Sequence, residues 1–146
     1  MGKGMLTLDA STEFGVRVAE RLGTDEIIWL TTISASGTPQ PVPVWFLWDG
    51  ESALIYTAPD TYKLRNIART PKVALNLNSD PLGGDIAVFV GTAAVDHAAP
   101  PPHQHPGYLE KYGDRIVNLL GMTLESYAAT YPVALRVTPE KVRGGQ

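Results

Sequence analysis

The chain has 146 residues, of which 44% are hydrophobic and 18% are charged, and this composition is typical of a single globular domain covering residues 1–146. Its formal net charge of −3 argues against a nucleic-acid-binding protein, because such proteins usually carry a basic surface. There is no cysteine, which excludes disulfides, thiol nucleophiles and thiolate metal sites.

Hydropathy predicts a cytoplasmic protein with no membrane partner. Residues 1–8 contain no long apolar run, so they predict no signal peptide. No stretch of the sequence approaches the roughly 20 consecutive apolar residues that a transmembrane helix requires. We therefore expect a soluble chain.

The predicted elements begin with a helix and continue mainly as strands. Phe14, Val18 and Leu22 recur at helical spacing and predict a first amphipathic helix over residues 11–22. Runs of β-branched and aromatic residues predict strands, and apolar residues at helical spacing predict further helices. In chain order these are strands 27–33, 40–48 and 53–57, helix 61–69, strands 73–77 and 86–95, helices 108–120 and 123–130, and strand 132–137. Six strands at hairpin spacing predict an antiparallel barrel with peripheral helices.

The strand predicted over residues 40–48 is apolar on both faces. One face carries Val42, Val44, Phe46 and Trp48, and the other carries Pro41, Pro43, Trp45 and Leu47. A strand with one face in water would alternate apolar with polar residues, so the second face must also be covered. A partner subunit, a flat aromatic ligand or the protein's own helices would cover it. The two prolines lack N–H donors, which predicts an edge strand or a bulge.

The segment from Leu54 to Asn66 predicts an anion-binding site. A strand runs into Pro59-Asp60, and the helix that follows carries Lys63 and Arg65 near its start. Free N–H groups and the helix dipole favour anions at a helix N-terminus, whereas two cations there oppose the dipole. Their presence indicates a bound negative group, for which a cofactor phosphate is the first candidate. The alternative is an ordinary solvated surface that carries two cations.

Other prominent residues are interpreted as structural. The three histidines within residues 97–105 lie in a proline-rich loop and are expected to be solvent-exposed. We predict no metal, because a site usually needs three or four convergent ligands. Tyr108 and Tyr112 are interpreted as helix packing, and only Trp45 of the three tryptophans is expected near a cofactor. Gly91 is expected to allow close backbone approach, either to a ligand or to a partner subunit.

Segments spread along nearly the whole chain together resemble the split β-barrel flavin-binding family. They comprise Thr31-Thr-Ile-Ser-Ala-Ser-Gly-Thr-Pro39, Pro43-Val-Trp-Phe46, Ile55-Tyr-Thr57, Lys63-Leu-Arg-Asn66, Pro71-Lys-Val-Ala-Leu75, Val88-Phe-Val-Gly-Thr-Ala93 and Tyr108-Leu-Glu-Lys-Tyr-Gly-Asp114. No single segment is decisive, but their order and spacing are specific. The family includes pyridoxamine 5'-phosphate oxidases and actinobacterial deazaflavin-dependent reductases. The resemblance implies a mainly β (α+β) fold, a six-stranded antiparallel split β-barrel of the FMN-binding type with peripheral helices.

The resemblance also implies a cofactor and the residues that bind it. In this family two protomers pair and the cofactor lies between them, so we expect a homodimer with a small-molecule substrate. The closest subgroup uses coenzyme F-420, a deazaflavin with a phosphate and an oligoglutamate tail, and the oxidases carry an arginine where this chain has Tyr62. The phosphate is expected at Thr57 and residues 61–66, and the ring at the backbone of residues 43–45. The complete expected set is Pro43, Val44, Trp45, Thr57, Thr61, Tyr62, Lys63, Arg65 and Asn66.

The expected function is a coenzyme F-420-dependent reductase that transfers hydride to an unsaturated small molecule. Hydride chemistry resides in the cofactor ring, so no catalytic side chain is predicted. Two alternatives remain: an FMN-dependent enzyme resembling pyridoxamine phosphate oxidase, and a non-catalytic dimer that carries a flavin or deazaflavin.

Overall fold

The computed structural model describes residue 6 and residues 8–145, and seven strands and four α-helices lie in this part of the chain. The strands are β1 Ile28–Ile33, β2 Pro39–Val44, β3 Leu47–Trp48, β4 Ala53–Thr57, β5 Lys72–Leu77, β6 Ile86–Val95 and β7 Val133–Gly145. The helices are α1 Glu13–Thr24, α2 Tyr62–Arg69, α3 Pro106–Asp114 and α4 Leu124–Thr130, with a 3₁₀ turn at Pro102–Gln104 and a π-helical turn at Arg115–Leu119. No helix of this described part is long and apolar enough to cross a bilayer. Most of residues 1–8, for which no signal peptide is predicted, lie outside the described residues.

The strands form one curled antiparallel sheet in the order β2-β1-β5-β6-β7-β4-β3. Its two edge strands, β2 and β3, are consecutive in the chain and are joined only by Trp45 and Phe46. Because one residue spans at most about 3.6 Å, the two edges must come close together. The sheet therefore curls into a barrel that is split between β2 and β3, which confirms the predicted fold.

The strand predicted over residues 40–48 is divided into two, which gives seven strands instead of six. The division follows from Phe46, whose backbone leaves the ladder. Its N–H donates to the hydroxyl oxygen of Tyr112 over 2.9 Å, and its carbonyl accepts from the Lys111 ammonium over 2.8 Å. Phe46 itself is fully buried. The chain thus crosses from one sheet edge to the other through a backbone that side chains of α3 hold in place.

β2 is an edge strand, as its prolines predict. Pro41 pairs with Thr31 and Pro43 pairs with Trp29 of β1, and the other side of β2 has no strand neighbour within the described residues. An edge tolerates proline where the missing N–H is not needed for the ladder. The prolines stay exposed, whereas Trp45 packs against the aromatic residues of α3 and α4. The protein's own helices therefore cover only part of the second apolar face.

Two hydrophobic clusters hold these elements together. The first lies within the curled sheet and includes Ile28, Leu30, Phe46, Phe89 and Leu135, with Val18 and Leu22 from α1. The second, which we call the tyrosine cluster, packs β4 against the helices and includes Leu54, Tyr56, Tyr108, Tyr112, Ile116 and Tyr127. Tyr108 and Tyr112 are both 0% exposed, which confirms that they serve in helix packing.

β6 and β7 pair along most of their length around a bulge. The register shifts between Val90 and Gly91, where a Cβ on Gly91 would lie 2.2 Å from the carbonyl oxygen of Thr138. The close approach expected at Gly91 is therefore to β7 of the same chain, and not to a ligand or a partner subunit. β7 extends well beyond the predicted residues 132–137, because pairing with β6 outweighs the weak β-propensity of the tail. Pro139 lies opposite Gly91 at the bulge, where the ladder is interrupted.

Candidate functional site

A cavity opens where the ends of β2 and β4 meet the start of α2 and the helix α4. Its volume is about 290 Å³, and aromatic rings form much of its wall, so we call it the aromatic cavity. Its lining residues are Pro43, Val44, Trp45, Tyr56, Thr57, Lys63, Leu120, Tyr127 and Tyr131. The curl of the sheet creates this site, because it carries the end of edge strand β2 to β4 on the far side of the sheet.

A second cavity of about 290 Å³ lies between the first turn of α2 and strands β1 and β2. We call it the polar cavity, and its lining residues are Thr32, Gln40, Pro41, Val42, Thr61, Tyr62 and Lys63. Lys63 lines both cavities, so the two adjoin at this residue. Small-molecule sites usually measure about 300–1,000 Å³, and each cavity alone lies just below that range. Together they suit a ligand with a ring at one end and a polar group at the other.

Lys63 is a cation with no counter-charge among the residues that the structure describes. Its side chain is half-buried, and no carboxylate of the described residues lies within 4.0 Å of its ammonium. Burial lowers the pKa of Lys63, because desolvation disfavours the charged form. The first turn of α2 contains no acidic residue to offset this cost. An anion bound beside Lys63 would do so.

The residue before α2 carries another unsatisfied polar group. Thr61 is the N-cap, but its Oγ1 is buried and makes no hydrogen bond with any described residue. The first N–H groups of a helix also lack intrahelical acceptors. Thr61 and Lys63 line the same polar cavity, so hydroxyl, amide and ammonium donors are brought together there. Phosphate oxygens are acceptors that match this set of donors.

Two residues of the predicted set line neither cavity. The Arg65 guanidinium donates to the carbonyl oxygen of Asp60 over 2.7 Å and lies 4.8 Å from the ring centre of Tyr62. Asn66 is buried, and its amide nitrogen donates to Thr32 Oγ1 over 2.9 Å and to Gln40 Oε1 over 2.7 Å. Asn66 thus fastens α2 to β1 and β2. The other predicted residues all line one cavity or both.

Stacked rings fix the aromatic wall. The Trp45 ring lies parallel to the Tyr112 ring, with centroids 4.6 Å apart and an interplanar angle of 3°. Its centroid is 5.8 Å from that of Tyr127, whose ring is also stacked, and the Arg115 guanidinium lies 5.3 Å from the Trp45 ring centre. The Trp45 ring is therefore held by side chains of three helical segments. Burial raises the pKa of the neighbouring Tyr56 phenol to about 12, so that residue is neutral at physiological pH.

Four residues of the aromatic cavity lie outside the set predicted from the sequence, namely Tyr56, Leu120, Tyr127 and Tyr131. Tyr127 lies in α4 and Tyr131 is the C-cap residue of that helix. Their spacing of four residues, which brings side chains to one side of a helix, was the available signal. Tyr56 gave no signal, because every residue of β4 is buried and the strand lacks an alternating pattern.

The loop histidines differ from one another in their surroundings. Only His97 is exposed as expected, whereas His103 and His105 are half-buried. His105 is the N-cap of α3, and its Nδ1 accepts a hydrogen bond from the Tyr108 N–H over 3.3 Å. The expectation of exposure is therefore wrong for these two residues, because the loop folds back to start α3. Within the described residues, no group of three or more potential metal ligands converges.

Residues 16–144 match the family described as pyridoxamine 5'-phosphate oxidase. No curated protein matches the chain.

Several solved structures share the fold. A conserved hypothetical protein from Mycobacterium tuberculosis has a TM-score of 0.72 at 18% identity, covering 98% of this chain and 87% of that chain. An F-420 reductase has a TM-score of 0.65 at 26% identity, covering 85% of this chain and 94% of that chain. The heme storage protein of Vibrio cholerae has a TM-score of 0.63 at 13% identity, covering 92% of this chain and 96% of that chain. The first and third similarities show a common fold alone.

Proposed function

This chain belongs to the pyridoxamine 5'-phosphate oxidase family, and on that premise we propose that it is a coenzyme F-420-dependent oxidoreductase that transfers hydride to an unsaturated small molecule. The observation that carries the proposal is the position of Lys63, a half-buried residue that lines both the aromatic and the polar cavity and whose ammonium has no ion-pair partner within the described residues. A deazaflavin has a planar ring for the first cavity and a phosphate for the second.

The choice of F-420 over FMN has two supports. One is the similarity to an F-420 reductase at 26% identity. The other is Tyr62, which stands where the resemblance to the oxidases predicts an arginine and is 72% exposed at the polar cavity. An FMN-dependent enzyme is the alternative, since both cofactors combine a tricyclic ring with a phosphate. A non-catalytic carrier of either cofactor is the third candidate.

The binding free energy of the cofactor must come from both polar contacts and apolar burial. Micromolar binding needs about −8 kcal/mol. One hydrogen bond to a charged group contributes about 1.5–3 kcal/mol, so Lys63 cannot hold the cofactor alone. Apolar burial at about 25 cal/mol per Å² must supply most of the rest. Val44, Trp45, Leu120 and the tyrosines of the aromatic cavity provide that surface.

When bound, a reduced deazaflavin supplies the hydride, so the chain's own residues need only bind, orient and exclude water. Lys63 and Thr61 fix the acidic end of the ligand. Trp45 and Tyr127 form a rigid wall beside the ring, since both are held by stacking. Pro43 and Val44 belong to an edge strand, whose free side leaves room for a second molecule.

We further propose that two copies of the chain pair and complete the site. The outer face of the sheet carries a groove of about 320 Å³ whose lining includes Ile33, Ala74 and Val90, and Val90 is 46% exposed. Lys72 and Glu140 also line it, and neither has an ion-pair partner within the described residues. A twofold interface uses the same patch on both copies, so a patch with both charges is self-complementary.

Sedimentation equilibrium tests this pairing. The wild-type chain is expected to have twice the mass of one copy, and Val90→Glu is expected to shift the equilibrium toward the single chain, because it places a further carboxylate among the apolar residues of the groove. A wild-type protein that sediments as one copy at high concentration would contradict the pairing.

Equilibrium titration with F-420 and FMN tests the proposed cofactor. We expect F-420 to bind at least about tenfold more tightly, a difference of about 1.4 kcal/mol. The reduced cofactor should then be oxidised when the protein and a suitable unsaturated acceptor are present. Tighter binding of FMN would favour the FMN-dependent alternative. Binding of F-420 without turnover of any acceptor in a broad panel would favour the carrier.

A further inference from the structure

Two tyrosine hydroxyls meet beside the aromatic cavity. Tyr127 of α4 lines that cavity, and Tyr108 of α3 belongs to the tyrosine cluster. Their hydroxyl oxygens are 2.7 Å apart, and this is the one hydrogen bond that either hydroxyl makes with the described residues. Tyr108 is 0% exposed and Tyr127 is 5% exposed. Burial raises the pKa of both phenols, so each keeps its proton at neutral pH.

Counting protons fixes the direction of this hydrogen bond. Two hydroxyls carry two protons, but one hydrogen bond uses only one of them. If Tyr127 donated, the Tyr108 proton would have no acceptor in a fully enclosed position, and an unsatisfied buried donor is strongly disfavoured. If Tyr108 donates, the remaining proton belongs to Tyr127, which lines a cavity where water or a ligand can accept it. The second arrangement therefore satisfies both groups.

Resting on the proposed function, we propose that Tyr127 donates a hydrogen bond to a ring carbonyl oxygen of the bound cofactor. Flavin and deazaflavin rings both carry such oxygens, and a carbonyl is a suitable acceptor for a phenol O–H. Tyr108 acts as a positioning residue, because its own proton occupies an acceptor site of the Tyr127 oxygen and directs the Tyr127 proton elsewhere. The stacking of Tyr127 with Trp45 holds the donor in place. Tyr127 thus orients the ring, while Lys63 contacts the acidic end of the same molecule.

Infrared difference spectroscopy and equilibrium titration with F-420 test this role. Tyr127→Phe keeps the stacked ring but removes the donor, so the affinity should fall about three- to tenfold. The carbonyl stretching band of the bound ring should move to higher frequency, because the carbonyl loses a hydrogen bond. Tyr108→Phe should also lower the affinity and raise the frequency of the carbonyl band, but by smaller amounts. It removes the partner of the Tyr127 hydroxyl, which is then free to turn. Thermal melting checks that both variants are folded.

Tyr56→Phe is the matched control. Tyr56 lines the same cavity, but its hydroxyl donates to the carbonyl oxygen of Pro100, so its proton is already used. This variant should leave the ring carbonyl band where it is in the wild type. If the wild type binds F-420 and Tyr127→Phe changes neither affinity nor band, the inference is wrong and the proposed function stands. If the wild type does not bind F-420, the proposed function fails and the inference falls with it.

Discussion

Replacing Lys63 with methionine is expected to weaken F-420 binding by about 10- to 100-fold while the protein stays folded. Lys63 lines both cavities and its ammonium has no carboxylate partner within the described residues, so its charge is available to a bound phosphate. Methionine keeps most of the apolar length and removes only the charge and its donors. Fluorescence titration of both proteins measures the ratio of the two affinities.

Arg65→Met is the matched comparison for this experiment. Arg65 carries the same charge two residues further along α2, but its guanidinium donates to the Asp60 carbonyl and lines neither cavity. Arg65→Met should therefore reduce the F-420 affinity far less than Lys63→Met does. An equal loss of F-420 affinity in the two variants would mean that the overall positive charge of α2 attracts the cofactor and that Lys63 makes no direct contact with its phosphate.

Lys63→Met should raise the stability of the ligand-free protein, although it weakens cofactor binding. Burial lowers the pKa of Lys63, so the ammonium destabilises the folded state at every pH below that lowered value. The cost fades as the pH rises and is absent above the pKa of the unfolded chain. Lys63→Met should therefore melt at a higher temperature than the wild type at neutral pH, and the difference should shrink in alkaline solution. A lower melting temperature for the variant at neutral pH would show that Lys63 has a stabilising partner.

Tyr112→Phe is expected to lower the free energy of unfolding by about 1–3 kcal/mol and the melting temperature by about 2 to 12 °C. The Tyr112 hydroxyl accepts the Phe46 N–H over 2.9 Å and lies 2.9 Å from the Glu26 carbonyl oxygen. Phenylalanine would leave the buried Phe46 N–H without an acceptor. This N–H lies in the two-residue link between the edge strands, so the loss acts on the closure of the barrel.

Hydrogen exchange locates the effect of Tyr112→Phe. The Phe46 amide should exchange faster in the variant, and the melting temperature should fall. Tyr62→Phe is a suitable control, because Tyr62 is 72% exposed. Removing its hydroxyl should change the free energy of unfolding by less than about 0.5 kcal/mol. An unchanged exchange rate at Phe46 would mean that Tyr112 does not hold the link.

The sequence predicted those features that depend on neighbouring residues. The lack of apolar–polar alternation in residues 40–48 indicated two apolar faces, and the two prolines indicated the edge strand that the structure shows as β2. The order of short segments along the chain indicated the split barrel. Lys63 was singled out because a cation at the start of a helix opposes the dipole. The split barrel was inferred from the order of segments spread over most of the chain, whereas each of the other inferences used residues within a few positions of one another.

Features that depend on distant residues were not predictable. The strand over residues 40–48 is divided because Tyr112, 66 positions away, takes over the hydrogen bond of the Phe46 N–H. Asn66 is enclosed because Thr32 and Gln40 happen to lie within reach of its amide. The far wall of the aromatic cavity comes from the segment that contains Leu120 and α4, which only the packed fold brings to β2. Patterns within a short stretch of sequence do not predict contacts between residues that are far apart in the chain.

A crystal structure of the protein soaked with F-420 tests the central claim most directly. We expect the ring in the aromatic cavity, with a phosphate oxygen within hydrogen-bonding distance of the Lys63 ammonium. F-420 bound elsewhere, or an aromatic cavity that the protein's own side chains fill when F-420 is present, would contradict the account.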